Sequence, residues 1–461
     1  AFILIYLVFL LIMGIPVMVC EFAIGRGSRC SAAKSFEVLE PPGTCWHRFK
    51  AISIVGCYML MMYYTTVTGW MLYYCWLHIT GTFVGASPQF ITATFGTMLK
   101  DPSNLLFWMV LTCAMGFGVC YLGIQNGVER ITKWMMGCLF VLILVLAVLI
   151  SALLASRLAR QITKPINNID PEKGIHFYLV PNFDTLAQLG WGNVIYAAMS
   201  QAFFTLSIGI GAMLIFGAYL PHGRSLFGEA STITALDTFV ALMAGFIIIP
   251  ACFAFGIQPD AGPSLIFLTI PNLFVQMPGG RFWGMLFFVF LSFAALSTVI
   301  AVFENIIAFG MNLYGWSRKK SVAINGLAIV LLSIPCVLGF NLWSGFQPLG
   351  PGSSILDLED FIVSNNLLPL GSLAFVLFCT KKNGWGWAHF LAEANDGEGR
   401  NLPSSLRNYL LYVLPLLIIT IYLKGYYDMF SKQGPEVLAK WLVLAALFLG
   451  FIFYTASRKK T

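Results

Sequence analysis

Runs of about twenty mostly apolar residues, separated by short polar segments, recur along the whole chain. They fall at residues 1–20, 52–79, 105–122, 134–156, 194–220, 236–255, 283–313, 322–340, 361–379, 409–423 and 438–454. A hydrocarbon layer about 30 Å thick takes roughly 20 residues of helix to cross, so each run predicts a membrane-spanning helix and the set predicts eleven. One run carries a pattern that works against an unbroken helix. Within SQAFFTLSIGIGAML (200–214), Thr205 and Ser207 stand beside Gly209 and Gly211. Glycine in a helix interior costs about 1 kcal/mol relative to alanine, and two so close predict a break. A break at mid-bilayer frees backbone N–H and C=O groups that hydrocarbon cannot satisfy, so it persists only where it lines a buried cavity. A polar ligand is expected at that point.

Composition sharpens the picture without changing it. Of 461 residues, 58% are hydrophobic and 10% charged, against about 25% charged in an average soluble domain. The eleven cysteines lie mostly inside the apolar runs without pairwise spacing and read as small buried hydrophobes. Basic residues set the orientation, because Lys and Arg in short loops stay on the cytoplasmic side. Alternate loops place Arg26, Arg29, Lys34, Arg48 and Lys50 on the same side as Arg130, Lys133, Arg224, Arg318–Lys320, Lys381, Lys382, Arg400, Arg407 and Arg458–Lys460, which is 18 of the 27 basic residues. This predicts a cytoplasmic C-terminus and a multi-pass protein of the cell membrane. Ala1 opens directly in apolar sequence with no initiator Met, basic leader or cleavage site, so a further helix is expected to precede it. One loop breaks the charge pattern: SALLASRLARQITKPINNID (151–170) brings Arg157, Arg160 and Lys164 to the opposite side. It resembles the helix-to-linker junction of bacterial sensor kinases, and it reads either as a long external loop or as an atypical insertion before the broken helix.

Seven longer motifs then carry a resemblance that covers nearly the whole chain. They are GIPVMVCEFAIGRGSR (14–29), MMYYTTVTGW (61–70), NGVER (126–130), FYLVPNF (177–183), SQAFFTLSIGIGA (200–212), AGPSLIFLTIPNLFVQMPGG (261–280) and FAALSTVIAVFE (293–304). In this order they resemble the neurotransmitter:sodium symporters, in their bacterial amino-acid-transporting branch. The resemblance implies an all-α polytopic membrane protein with the inverted-repeat, broken-helix symporter fold, one transporter domain over 1–461 with eleven of twelve helices present and the first absent. In that family the first helix supplies much of the site, so the 461 residues by themselves are not expected to transport.

The same resemblance implies roles for single residues. The unwound sixth helix of the family offers free carbonyls to the substrate and a hydroxyl to sodium, which places Phe204, Thr205, Ser207, Ile210 and Gly211 in the site. Tyr64 matches the tyrosine that meets the substrate carboxylate, and Leu60, Phe204, Ile210 and Val302 would line an apolar side-chain pocket, with Thr298 beside them. One sodium would be held by Thr205 and Asp237, a second by the Ala294 carbonyl and the Ser297 and Thr298 hydroxyls. Asp237 stands where many relatives carry asparagine; an ionised carboxylate in a membrane costs at least about 2.5–3.5 kcal/mol and calls for a cation. Its charge could also replace the chloride that some relatives require, so chloride is not expected to be needed. Asp360 matches the acidic half of a gate. For each of these an ordinary alternative stands: hydroxyls bonded back along their own helix for Thr205 and Ser207, interhelical packing for Ser297 and Thr298, a helix-capping acid for Asp237, and a loop-end acid for Asp360.

The function expected is therefore a sodium-coupled symporter of an amino acid, hydrophobic or aromatic in side chain. The alternatives are a non-transporting membrane sensor on the same scaffold and an inactive fragment. The chain has no GxxxxGK[ST], no HExxH and no Cys/His metal spacing. No enzyme activity and no nucleic-acid partner is expected; the substrate, two sodium ions and the bilayer are the expected partners, and the oligomeric state stays open.

Overall fold

The computed structural model describes residues 1–123, 128–141, 144–145, 148, 171–254 and 262–458. The junction at 151–170 therefore lies outside the described residues, as do Asn126, Gly127 and Ala261 of the quoted motifs.

Among the described residues nine helices are long and apolar enough to cross a membrane. In chain order, with the two halves of the broken helix, they are α1 (Phe2–Ser28), α2 (Trp46–Thr80), α3 (Pro102–Tyr121), α4 (Trp191–Thr205), α5 (Ala212–Tyr219), α6 (Leu226–Phe253), α7 (Gly280–Tyr314), α8 (Arg318–Leu338), α9 (Ile355–Thr380), α10 (Ser404–Gln433) and α11 (Pro435–Ser457). Residues 128–141 are helical as well. Local sequence explains several helix ends. Asp101 accepts from the N–H groups of Ser103 and Asn104 at the start of α3, where Pro102 needs no partner. Ser354 and Asp357 form a capping box at the start of α9, and Gly81 ends α2 in the left-handed conformation at φ 77°.

Two helices run further than their hydropathy predicts. The apolar run 236–255 suggests a helix start near Leu236, yet α6 begins ten residues earlier at Leu226. Ser225 accepts from Gly228 N–H at 3.2 Å and caps it there, and Glu229 in the first turn complements the partial positive charge of the helix start. Likewise α10 continues past Leu423 to Gln433, with Lys424 and Asp428 paired one turn apart. Hydropathy reports what lies in hydrocarbon; capping and charge pairing decide where the helix stops.

The break occurs where the glycines predict it. Between α4 and α5 the backbone turns through residues 206–211, with φ 50° at Ser207, 103° at Gly209 and 76° at Gly211. Both halves pack against α1, and α2 lies along α7. The contact of α1 with α5 is close: a Cβ at Gly25 would stand 1.9 Å from the Leu214 carbonyl oxygen.

Candidate substrate and ion site

The break is held from three sides. Glu21 of α1, wholly buried, accepts the Gly209 N–H through Oε1 at 2.5 Å. Asn305 of α7 donates its amide to the Gly211 carbonyl at 3.0 Å. On the third side α9 approaches so closely that a Cβ on Gly371 would meet the Gly209 carbonyl oxygen at 1.7 Å, and one on Gly209 the Leu368 oxygen at 2.1 Å. These contacts fix an otherwise unfavourable backbone and leave the opposite face of the turn free.

That free face lines a cavity of about 240 Å³. Its walls include Leu60 and Tyr64 from α2, Phe204 and Thr205 from the end of α4, Ser207 and Ile210 from the turn, and Thr298 from α7. Six of the eight residues expected to bind substrate thus meet around one space, with a tyrosine hydroxyl, two aliphatic hydroxyls and apolar surface. Tyr64 from α2 and Thr298 from α7 both face it. Gly211 and Val302 are outside the lining: both are buried, and the Gly211 carbonyl is occupied by Asn305.

The residues expected to hold sodium form two groups. Thr205 Oγ donates to Asp237 Oδ2 at 2.8 Å, and Tyr6 of α1 stands beside both. The Thr205 hydroxyl is thus turned away from its own helix toward a carboxylate. Asp237 is the twelfth residue of the helix that starts at Leu226, so it is mid-helix and caps nothing. In the second group Ser297 Oγ donates to the Ala294 carbonyl at 2.7 Å, which gathers those two oxygens on the face of α7 one residue from cavity-lining Thr298. Asp360 is separate from the cavity lining; its Oδ1 accepts from Tyr63 at 3.1 Å and Ser364 at 2.7 Å.

Some participants escape sequence reasoning. Gln201 lines the cavity one turn before Thr205 on the same helical face, a spacing that could have found it. Val363 and Leu368 also line it, the first residue of a π-helical stretch of α9 over Val363–Leu367 and the residue just after it; nothing in the local pattern announces either the widened turn or its direction. Glu21 lies inside a quoted motif, but only the fold reveals that its carboxylate reaches the break.

Residues 89–343 match the profile of the Sodium:neurotransmitter symporter family. A sodium-dependent transporter of Bacillus subtilis, YhdH, is 32% identical across 92% of this chain and 89% of its own length. A sodium-dependent transporter of Haemophilus influenzae is 28% identical, covering 92% of this chain and 90% of its own. The crystal structure of MhsT in complex with L-phenylalanine superposes with a TM-score of 0.80 at 33% identity, over 92% of this chain and 91% of that one. With a broken helix around a cavity of the expected residues and full-length likeness to sodium-dependent transporters, the chain belongs to the sodium:neurotransmitter symporter family.

Proposed function

We propose that this sodium-dependent transporter carries a hydrophobic amino acid across the cell membrane together with two sodium ions, by alternating access, with its C-terminus in the cytoplasm. The observation that carries the reading is the cavity at the helix break, where Tyr64, Ser207 and Thr298 supply polar contacts and Leu60, Phe204 and Ile210 apolar ones. The substrate carboxylate would meet the Tyr64 hydroxyl and the start of α5, its ammonium the carbonyls freed at the end of α4, and its side chain the apolar wall. The likeness to MhsT, whose structure holds L-phenylalanine, supports this substrate class.

One sodium is assigned to Thr205 and Asp237 and the other to Ala294, Ser297 and Thr298. Sodium is a hard cation and suits oxygen ligands, as calcium and magnesium do. The Asp237 carboxylate supplies a fixed negative charge beside the first ion, so transport proceeds without chloride. Two sodium ions, each falling through 100 mV and a tenfold gradient, release about 7 kcal/mol per cycle, enough to concentrate a zwitterion by several orders of magnitude. In proteoliposomes with an inward sodium gradient, a protein that extends this sequence by the family's first helix should accumulate labelled L-phenylalanine or L-leucine and lose it when the gradient is collapsed, whereas the 461 residues by themselves should not accumulate either. Equal uptake with sodium replaced by potassium would overturn the coupling, and uptake of neither amino acid would overturn the substrate class.

A further inference from the structure

Three acids are buried among the described residues, and two of them have partners that account for their charge. Glu21 accepts the Gly209 N–H, and Glu304 is paired with Arg318. The third is Glu359, the fifth residue of α9, which is 2% exposed. Neither of its carboxyl oxygens has a hydrogen-bond partner among the described residues.

Its surroundings supply no counter-charge. Cys336, near the end of α8, stands beside it, and Thr66 of α2 stands beside Cys336; both are buried, and Thr66 Oγ1 has no partner either. The other ionisable groups close by are Tyr63 of α2 and, on α9 itself, Asp357 in the capping box and Asp360, which accepts from Tyr63 at 3.1 Å. None is cationic, and the two acids oppose a further negative charge. The helix start does not compensate, because its partial charge falls off within the first turn and Ser354 and Asp357 already cap it. An ionised carboxylate in a membrane costs at least about 2.5–3.5 kcal/mol. Sodium does not suit these neighbours: a hard cation takes several oxygens at once, whereas here a soft thiol stands first and Thr66 offers one further free hydroxyl. A buried water would supply a hydrogen bond without supplying charge. A proton removes the charge itself, and the neutral acid can donate its O–H to the Cys336 sulfur.

We propose that Glu359 is a proton-binding site governed by the packing of α9 against α2 and α8. The acid is neutral while these helices are together at this end, and it gives up its proton when they part and water reaches it. The packing is close, since a Cβ on Gly339, just past α8, would stand 2.9 Å from Ile355 at the start of α9. Glu359 is one turn before Val363 on the same face of α9, and Val363 lines the central cavity. Closing this end over the cavity therefore takes up one proton, and acid on that side favours the closed bundle. In the orientation proposed above this side is the outer one; the proton site itself depends neither on that orientation nor on what the cavity carries.

The test is equilibrium unfolding of the purified chain in detergent from about pH 5 to 8, a range in which ordinary thiols and phenols do not ionise. Glu359→Gln keeps the shape and cannot ionise, and Glu359→Met puts an apolar chain of similar length there in case the amide fails to fold. All other groups titrate alike in parent and variant, so the difference between them isolates Glu359. The sign follows from linkage. An unfolded Glu ionises at about pH 4.3 while the folded one keeps its proton, so the unfolded state binds fewer protons and the parent loses stability as pH rises. Relative to either variant, its folding equilibrium should fall by up to about tenfold per pH unit. The infrared spectrum of the parent at neutral pH should also contain the carbonyl band of a protonated carboxyl group, which both variants lack. Parallel pH dependence of parent and variants, or a parent spectrum without that band, would overturn the proposal. A band that persists in both variants would assign the proton to another acid and overturn it equally.

Discussion

At the scale of single residues the assignment rests on oxygen atoms whose removal leaves shape intact. Thr298 faces the cavity alongside Tyr64. Replacing it with Val keeps the branched form and removes one ligand from a buried cation with no water to substitute. A hydrogen-bond-scale interaction with a charge contributes about 1.5–3 kcal/mol, so the sodium concentration for half-maximal substrate binding should rise roughly ten- to hundredfold. Thr298→Ser should be far milder, because it keeps the oxygen. A sodium titration in which Thr298→Val matches the parent would mean that the hydroxyl only packs. Asp237 makes a different prediction because its charge, not its shape, is at issue. Its carboxylate accepts from Thr205 at 2.8 Å, and an asparagine amide can still accept there while carrying no charge. Parent uptake should be equal in gluconate and chloride buffers, whereas Asp237→Asn should be inactive in gluconate and at least partly restored by chloride. Equal activity of both proteins in both buffers would remove the fixed-charge role.

At the scale of elements the decisive feature is the backbone approach that holds the broken helix open. Gly371 is helical, so an added Cβ there meets only a steric obstacle, the Gly209 carbonyl oxygen at 1.7 Å. Gly209 faces both an obstacle, Leu368 oxygen at 2.1 Å, and a φ of 103° that L side chains rarely adopt. Gly371→Ala should therefore cost about 1–3 kcal/mol as overpacking, and Gly209→Ala about 1–3 kcal/mol more as backbone strain. Gly192→Ala, in α4 with open space around it, should leave thermal stability in detergent unchanged or slightly higher. A Gly209→Ala protein that melts with the parent would contradict the packing described. These glycines also show what the sequence could disclose. Gly209 and Gly211 announce a break because their effect is local, and apolar runs announce helices because the bilayer imposes their length. The partners that stabilise the break come from far along the chain: Glu21 from α1, Asn305 from α7, Leu368 and Gly371 from α9. No periodicity in 200–214 encodes them. The early start of α6 at Leu226 was hidden for a second reason, since it is set by the Ser225 cap and by Glu229 in the first turn, not by hydropathy.

At the scale of the whole molecule, the bundle is tied at one end by a buried arginine that joins three distant segments. Arg26, near the end of α1, has no exposed surface. Its guanidinium donates to Glu393 Oε1 at 2.5 Å, to the Glu393 carbonyl, and to the Arg224 carbonyl at 2.7 Å. The segment after Glu393 is laid along residues 222–225: Glu398 N–H reaches the Gly223 carbonyl at 3.3 Å, and Ser225 Oγ the Arg400 carbonyl at 2.5 Å. The loop that follows α5 is thus joined to the connection between α9 and α10 through α1, which itself packs on both halves of the broken helix. Removing one partner of a buried pair is costlier than removing both, because the survivor keeps its desolvation penalty without compensation. Glu393→Ala should therefore lower stability by about 3–5 kcal/mol, whereas Arg26→Met combined with Glu393→Leu, which fills the space with apolar side chains, should lose much less. Differential scanning fluorimetry of Arg26→Met, of Glu393→Leu and of the double variant gives the coupling directly. If the double variant loses the sum of the singles, Arg26 is held by its backbone acceptors alone, and the ion pair contributes nothing to closing this end of the bundle.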